Sequence, residues 1–398
     1  MNMADSLILI ANPGSASRKY ALYKGGMCRA ELHFEFVYQK LVCTFTYKGL
    51  QHVLHLDFHH MGEAATHVVD IFKDKGVLSD HEKIERVGLR IVAPSSFFMI
   101  DHVIHNDVVS HLEDILPRAP LHIKATLDEL HILRKQFVNI PIVGVSDSAF
   151  HITKPDYAWN YGISLEDADR FEIKRFGYHG LSAESVVHEL KHAEKLPQKL
   201  VVCHLGSGAS VTAIYDGKSL DNTMGYSPLE GVVMSTRSGN IDPAAVRSLK
   251  DACNFSDAEV ENYLNNHSGL LGLGGSSDIR ELLRREEDGD VKSKLALQTY
   301  VYSVQKAVGE MVTVLDGVDV LVFTGTVGER SAPIRERILS SLHYLDFELN
   351  KESNKACEAP SKLNVISRLA HSKSVIVVPA QEAAEMARHT IKATHNWG

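Results

Sequence analysis

Residues 7–25 (LILIANPGSASRKYALYKG) and residues 199–217 (KLVVCHLGSGASVTAIYDG) are one structural phrase written twice. Each runs from an apolar stretch through a Gly-Ser turn into a second β-prone stretch ending Ala-x-Tyr-x-Gly. Gly14, Ser15, Ala21, Tyr23 and Gly25 recur as Gly206, Ser207, Ala213, Tyr215 and Gly217, at a constant offset of 192 residues (206 − 14). A strand–turn–strand unit with small residues at its apex leaves backbone N–H groups and hydroxyls to converge on an anion, and phosphate is the natural candidate. Gly-Ser turns also occur in ordinary hairpins. Five matches in register point instead to a duplicated domain that holds phosphates between its halves.

The chain has 398 residues, which exceeds what one core usually serves, so two domains of about 150–200 residues are expected. A composition of 44% hydrophobic and 23% charged residues is that of a globular enzyme. The net charge of −8 argues against a nucleic-acid surface, because no basic stripe compensates it: Arg280, Arg284 and Arg285 are followed at once by Glu286, Glu287 and Asp288. No run reaches the roughly 18 apolar residues of a membrane span, and residues 1–6 carry no basic leader. A cytoplasmic protein is the expectation. Five scattered cysteines without Cys-x-x-Cys spacing read as reduced thiols rather than disulfides or a metal site.

Strands are expected at 7–11, 20–23, 41–47 and 52–58, then a helix over 62–75, a strand at 86–92, a helix over 122–137 and a buried strand at 142–145 ending at Asp147. Ligands of open α/β sheets gather beyond the carboxyl ends of strands, which favours chemistry at Asp147. The second half reopens with a hairpin at 200–215 and continues through a Gly- and Ser-rich region at 224–239. Helices are expected over 242–251, 257–265, 277–286 and 292–315. A strand at 318–324 leads into a glycine turn at 325–328 and a helix over 332–342; a last strand at 374–378 precedes a helix over 381–394. With no low-complexity linker, the halves should join near 148–155.

Ten phrases, spread over nearly the whole chain, carry the chemistry: NPGSASRK at 12–19, PLH at 120–122, DSAFH at 147–151 with PDY at 155–157, GYHG at 177–180, HLGSGAS at 204–210, MGYSPLEG at 224–231, TRSG at 236–239 with IDP at 241–243, SSDIR at 276–280, Phe323-Thr324 with Gly328-Glu329, and Pro379 before Glu382. In wording and order they resemble the acetokinase family of short-chain carboxylate kinases, the acetate kinases, of which this chain looks like a divergent member. The resemblance implies the duplicated α/β fold of the actin, hexokinase and acetate kinase type, with two α/β domains around a central cleft. It also implies a homodimer, Mg2+ or Mn2+, and transfer of the γ-phosphoryl group of ATP to a small carboxylate. Residues 1–150 with about 383–398 should form a discontinuous N-terminal domain; 151–382 should form the nucleotide side and the dimer interface.

An ionised carboxylate needs no general base to attack phosphorus; it needs alignment and cancellation of charge on the transferring oxygens. Arginine forks supply both. By resemblance Arg90, on the turn after 86–88, and Arg237 are the catalytic arginines, Asp147 is a catalytic acid, and His179 with Arg237 stabilises the transition state. Either arginine alone could be a surface ion pair, and His179 a helix cap. His122 and His204 match further histidines near the phosphates. Asn12, Asp147 and Glu382 match the metal side, hard oxygens that suit magnesium, although Asp147 could cap a helix and Glu382 could serve a helix dipole. Arg90, Val92, Leu121, Tyr178 and Pro228 match the acceptor pocket. Lys19, His204, Gly206, Ser207, Gly208, Asp278, Ile279, Arg280, Thr326, Val327, Gly328, Glu329 and Arg330 match the nucleotide side.

Departures fall on the site itself. Tyr178 stands where the family usually has Phe, and its hydroxyl must find a partner. Ser207 replaces Asn in the phosphate loop, Thr326 replaces Gly and Arg330 replaces Asn near the adenosine, and one residue is missing around 273–277. Leu89, Ala93-Pro94-Ser95 and Ile123 also depart from the pattern. These changes leave open a different phosphoryl donor, such as pyrophosphate or another nucleotide, or a weakened enzyme acting as a sensor. A different rival is the His-Glu-x-x-His string at 188–192, which on a helix could hold zinc.

Overall fold

The structure, a computed structural model, describes residues 6–14, 17–37, 40–55, 60–368 and 372–395. Ser15 of the first repeat and the end of the strand expected over 52–58 lie outside the described residues. The chain forms two compact units, Met1–Ala149 with Gln381–Gly398, and Phe150–Ala380. Among the described residues, no helix is long and apolar enough to cross a membrane.

The first unit contains β1 (Leu7–Pro13), β2 (Ser17–Lys24), β3 (Met27–Val37), β4 (Lys40–Tyr47), β5 (Leu50–His55), β6 (Ile84–Ile91), β7 (His102–Val103) and β8 (Ile142–Ser146). They form one sheet in the order β5-β4-β3-β2-β1-β6-β8-β7. β1, β6 and β8 run parallel. The apolar runs of β1 and β8 are buried almost throughout, as expected of strands covered on both faces. The closing helix Glu382–Ala393 packs on β1, β6 and β8 and so belongs to this unit.

β3 was not among the expected strands. Its Glu31, His33 and Glu35 alternate with the buried Ala30, Leu32 and Phe34, the period-2 signature of a strand with one wet face. Arg90 also corrects an expectation, for it lies within β6 rather than on a turn. Parallel pairing of β6 with β8 continues through Arg90↔Val145 and Ile91↔Ser146, which keeps the backbone extended to that point.

The second unit contains β9 (Lys199–Leu205), β10 (Ala209–Tyr215), β11 (Lys218–Asn222), β12 (Val320–Thr324), β13 (Asn364–Val365) and β14 (Ser374–Val377), in the order β11-β10-β9-β12-β14-β13. The two sheets share a plan. β3-β2-β1-β6-β8 and β11-β10-β9-β12-β14 each place an antiparallel three-strand meander beside two further parallel strands. Leu200, Val202, Val320, Val322 and Ile376 point to one face, under the helix Gly180–His192. The glycine turn expected at 325–328 is instead a short helix, Gly325–Arg330. Gly325 enters it at φ 77, where a Cβ would stand 2.7 Å from the Leu205 carbonyl oxygen.

The repeated phrase does not fold into identical hairpins. Ile8 pairs with Tyr23, which the offset of 192 would transpose to Leu200 with Tyr215; the structure pairs Lys199 with Tyr215. The first turn lies between paired Pro13 and Arg18, the second between Leu205 and Ala209, so the second is one residue tighter. A one-residue slip moves a side chain across the pleat, and Tyr23 is buried while Tyr215 is exposed.

A buried ion pair joins β2 to the helix Pro120–Gln136, with Arg18 donating to Glu129. Glu129→Ala should destabilise the protein by about 3–5 kcal/mol in urea unfolding, because it leaves the Arg18 charge buried without its partner. The double variant Arg18→Met/Glu129→Leu should recover most of that loss. A single variant that unfolds like the wild type would contradict this account.

Candidate active site

In the first unit the carboxyl ends of three parallel strands bring functional groups to one edge. Asn12 and Arg90 are the penultimate residues of β1 and β6, and Asp147 follows β8. Arg90 Nη2 stands 2.9 Å from Asp147 Oδ2, and its Nη1 lies 3.7 Å from Glu382 Oε2. That same Nη1 donates to Asn12 Oδ1 at 3.4 Å. Glu382 arrives from the first turn of the closing helix. Burial opposes the charge of Arg90, but Asp147 and then Glu382 outweigh it and hold the guanidinium's pKa above its ordinary value. Among the described residues Arg90 Nε is buried without a hydrogen-bond partner. Val92 and Leu121 are half-buried in this unit; Lys19 is exposed on β2, opposite Asn12.

Lys19 therefore belongs to the first unit, whereas the remaining residues of the expected nucleotide set belong to the second. There the 177–180 turn delivers a histidine. Gly177 has φ 81 and His179 has φ 57 and ψ 27, a left-handed conformation that a non-glycine residue holds only when its surroundings impose it. His179 occupies the cap position of the helix Gly180–His192 without making a side-chain cap bond. Its Nδ1 is hydrogen-bonded to Ser210 Oγ at 3.0 Å instead. His204, on β9, has Nδ1 2.7 Å from Ser182 Oγ, and the two imidazoles lie 4.1 Å apart. With each Nδ1 held by a serine, each Nε2 is directed at the 206–208 turn. A Cβ on Gly208 would stand 3.1 Å from His179 Nε2 and 3.2 Å from Arg237 Nη1; one on Gly206 would be 3.5 Å from His204 Nε2.

The turn presents these side chains with less free backbone than expected. The Gly206 N–H donates to Gly208 O at 2.9 Å, and the Ser207 carbonyl accepts from Ser235 N–H at 3.2 Å. In the first copy the Gly14 N–H donates to Asn12 O at 3.2 Å. At these positions the N–H groups close the turns instead of facing a ligand.

Asp278 and Arg280 are engaged with each other. Asp278 caps the helix Ile279–Glu287 through Arg280 N–H and also accepts from the Arg280 side chain at 2.7 Å, which holds its carboxyl below the usual range. Arg280 is otherwise exposed, and Ile279 is buried. Thr326 and Arg330 are exposed, Val327 is half-buried and Gly328 is buried. Glu329 faces inward to the backbone: its Oε1 accepts from Gly325 N–H at 3.0 Å and Ala380 N–H at 2.9 Å, tying the strand ends together. The Tyr178 hydroxyl finds its partner in the Tyr226 carbonyl at 2.7 Å. Arg237 Nη1 donates to the carbonyl of Pro228, a buried residue, at 3.4 Å. His188 and His192 lie on the helix Gly180–His192, and no trio of metal-ligating groups among the described residues includes either.

Sequence reasoning missed the supports. Ser210 lay inside a quoted phrase and could have been found there; Ser182 carried no local signal.

Two duplicated α/β units, one bearing an arginine set among acids at strand ends and the other bearing two serine-held histidines and an arginine at a glycine turn, define a phosphotransferase. The Acetokinase family matches residues 7–388, and the chain belongs to that family. It is 36% identical to the acetate kinase of Thermoanaerobacterium thermosaccharolyticum over 395 residues, which span 97% of this chain and 98% of that one. Among solved structures it resembles the propionate kinase of Francisella tularensis (TM-score 0.88, 32% identity, 97% and 99% of the two chains). It also resembles the acetate kinase of Porphyromonas gingivalis (TM-score 0.85, 32% identity, 98% and 99%).

Gly208→Ala should lower turnover by up to about 10²-fold if His179 and Arg237 serve the reaction, because the added Cβ would press both side chains aside. Circular dichroism should be unaltered. An alanine variant with wild-type kcat would show that the turn does not set these side chains.

Proposed function

We propose that this chain transfers the γ-phosphoryl group of ATP to acetate or propionate, giving an acyl phosphate and ADP, reversibly and by direct in-line displacement. The observation that carries this reading is the ordered charged set: Arg90 fixed by Asp147 and Glu382, with Arg237 and His179 at Gly208. One acceptor carboxylate oxygen attacks the γ-phosphorus, forming the new P–O bond as the bond to the β-phosphate oxygen breaks and its electron pair leaves with ADP. No proton need move from the acceptor.

Arg90 would orient the acceptor carboxylate, with Val92, Leu121, Tyr178 and Pro228 as the apolar wall. Arg237 and His179 would donate to the equatorial phosphoryl oxygens as charge spreads over them. The hydrogen bond of His179 Nδ1 to Ser210 would orient the ring for this. His204, Gly206, Ser207 and Gly208 would hold the donor phosphates. Asp278, Ile279, Arg280, Thr326, Val327, Gly328, Glu329 and Arg330 would line the nucleoside end, Ile279 and Glu329 doing so through backbone.

Asn12, Asp147 and Glu382 fit a magnesium or manganese ion. All three offer hard oxygens, and two carboxylates beside one guanidinium leave a net negative site. When bound, such an ion neutralises the β- and γ-phosphate oxygens. A homodimer and a cytoplasmic location accompany this reading.

The test is a matrix of ATP, GTP and pyrophosphate against acetate, propionate and butyrate, run in both directions. ATP with acetate or propionate should dominate; turnover only with pyrophosphate would overturn the donor assignment. Arg90→Ala and Arg237→Ala should each lower kcat by about 10²–10³-fold, the usual loss for one electrostatic donor. Near-normal turnover in either would remove that arginine from the mechanism. Thr326→Gly should lower the nucleotide KM if the threonine crowds the base, and an unchanged KM would dismiss that role.

A further inference from the structure

The 224–231 loop carries Pro228 of the proposed acceptor wall, and among its anchors are bonds to both backbone groups of Tyr226. Tyr178 donates its hydroxyl proton to the Tyr226 carbonyl at 2.7 Å. On the other side of the same residue the Tyr226 N–H donates to the Tyr161 hydroxyl oxygen at 2.8 Å. Tyr161 in turn donates to Glu230, which is also bound by Arg175. Arg175 stacks over the Tyr161 ring at 5.5 Å, so the clamp has its own brace.

Both tyrosines are themselves fixed. The Tyr178 carbonyl accepts from Asn222 Nδ2 at 3.2 Å and is hydrogen-bonded to His151 Nε2 at 3.0 Å, with His151 fully buried. Burial, then Glu230, raises the Tyr161 pKa above its ordinary value and keeps the hydroxyl proton in place to donate. Gly225 closes the arrangement: a Cβ there would collide with the Glu230 carboxylate and the Tyr161 hydroxyl. The loop therefore cannot shift at Tyr226 without breaking hydrogen bonds on two sides, and Pro228 lies two residues on.

We propose that the Tyr178 and Tyr161 hydroxyls clamp the two peptides that flank the Tyr226 Cα and thereby limit the alkyl length of the acceptor that the 224–231 loop admits. This rests on the carboxylate kinase reading given above. The two tyrosines act here as positioning residues, through the loop. A pinned wall rejects an added methylene, whereas a wall released from one hydrogen bond can yield to it.

The test uses the full chain as Tyr178→Phe and Tyr161→Phe. Each variant keeps the ring and deletes one hydroxyl. Two readouts are taken: amide hydrogen exchange over 224–231, and kcat/KM for acetate and propionate by acyl-hydroxamate trapping. In Tyr178→Phe exchange in the loop should accelerate by about three- to tenfold, the factor carried by one net hydrogen bond, and in Tyr161→Phe by at least as much, because that hydroxyl serves both Tyr226 N–H and Glu230. The propionate-to-acetate ratio of kcat/KM should rise by a similar factor of about three to ten. A merely structural role would lower both acids alike, so an unchanged ratio overturns the proposal, as does unchanged exchange. A wild-type protein that phosphorylates neither acid overturns the carboxylate kinase reading and with it the selectivity; unchanged exchange in an active enzyme overturns the clamp alone.

Discussion

The ion pair between Arg90 and Asp147 is the constraint around which the first unit is arranged. Asp147 is 1% exposed, and a carboxylate that deep is tolerated only beside a cation. An exposed pair of this kind contributes about 0–1 kcal/mol, whereas removing one partner of a buried pair costs about 3–5 kcal/mol. The geometry of β6 and β8 follows from that difference. Their parallel register must deliver an arginine and an aspartate to the same edge, and the closing helix must return to supply Glu382. Lysine could not substitute for Arg90, because one compact ammonium cannot serve Asp147, Asn12 and Glu382 while leaving a further donor directed elsewhere.

The second unit solves a different problem by different means. Its two paired histidines each have one ring nitrogen held from within the protein. Ser210 and Ser182 take the Nδ1 atoms, and the left-handed backbone at His179 turns its ring toward the glycine turn. Strain of this kind costs about 1–3 kcal/mol per residue and is repaid by the buried contacts that surround it. The two copies of the opening phrase have thus diverged in role. In the first, the turn follows Asn12 on the side of the acids; in the second, it is tightened by one residue and lies beneath His179 and Arg237.

Most strands were legible because buried parallel strands read as unbroken apolar runs. β3 escaped because its charged residues alternate with its core residues, and a run-based reading sees only the charges. The short helix Gly325–Arg330 escaped because two glycines in four residues resemble a turn, and only the approach of Leu205 shows that Gly325 is there to let a helix start. Asp147, Arg237 and Glu382 were offered by short phrases, whereas Arg90 lay outside every one of them. Their supports were not legible: Tyr161 reaches Glu230 across 69 residues and His151 reaches Ser219 across 68, distances over which no local pattern extends.

The order of apolar runs, turns and short phrases by itself determined a duplicated α/β chain, its family and the residues offered for chemistry, because strand burial and turn chemistry are local properties. Tertiary structure alone decided what each of those residues does. Hairpin register, the partner of a hydroxyl and the charge beside a carboxylate all depend on segments that meet only after folding. Two hairpins with the same five residues in the same places therefore end in different registers, since a turn one residue shorter reassigns every pair that follows it.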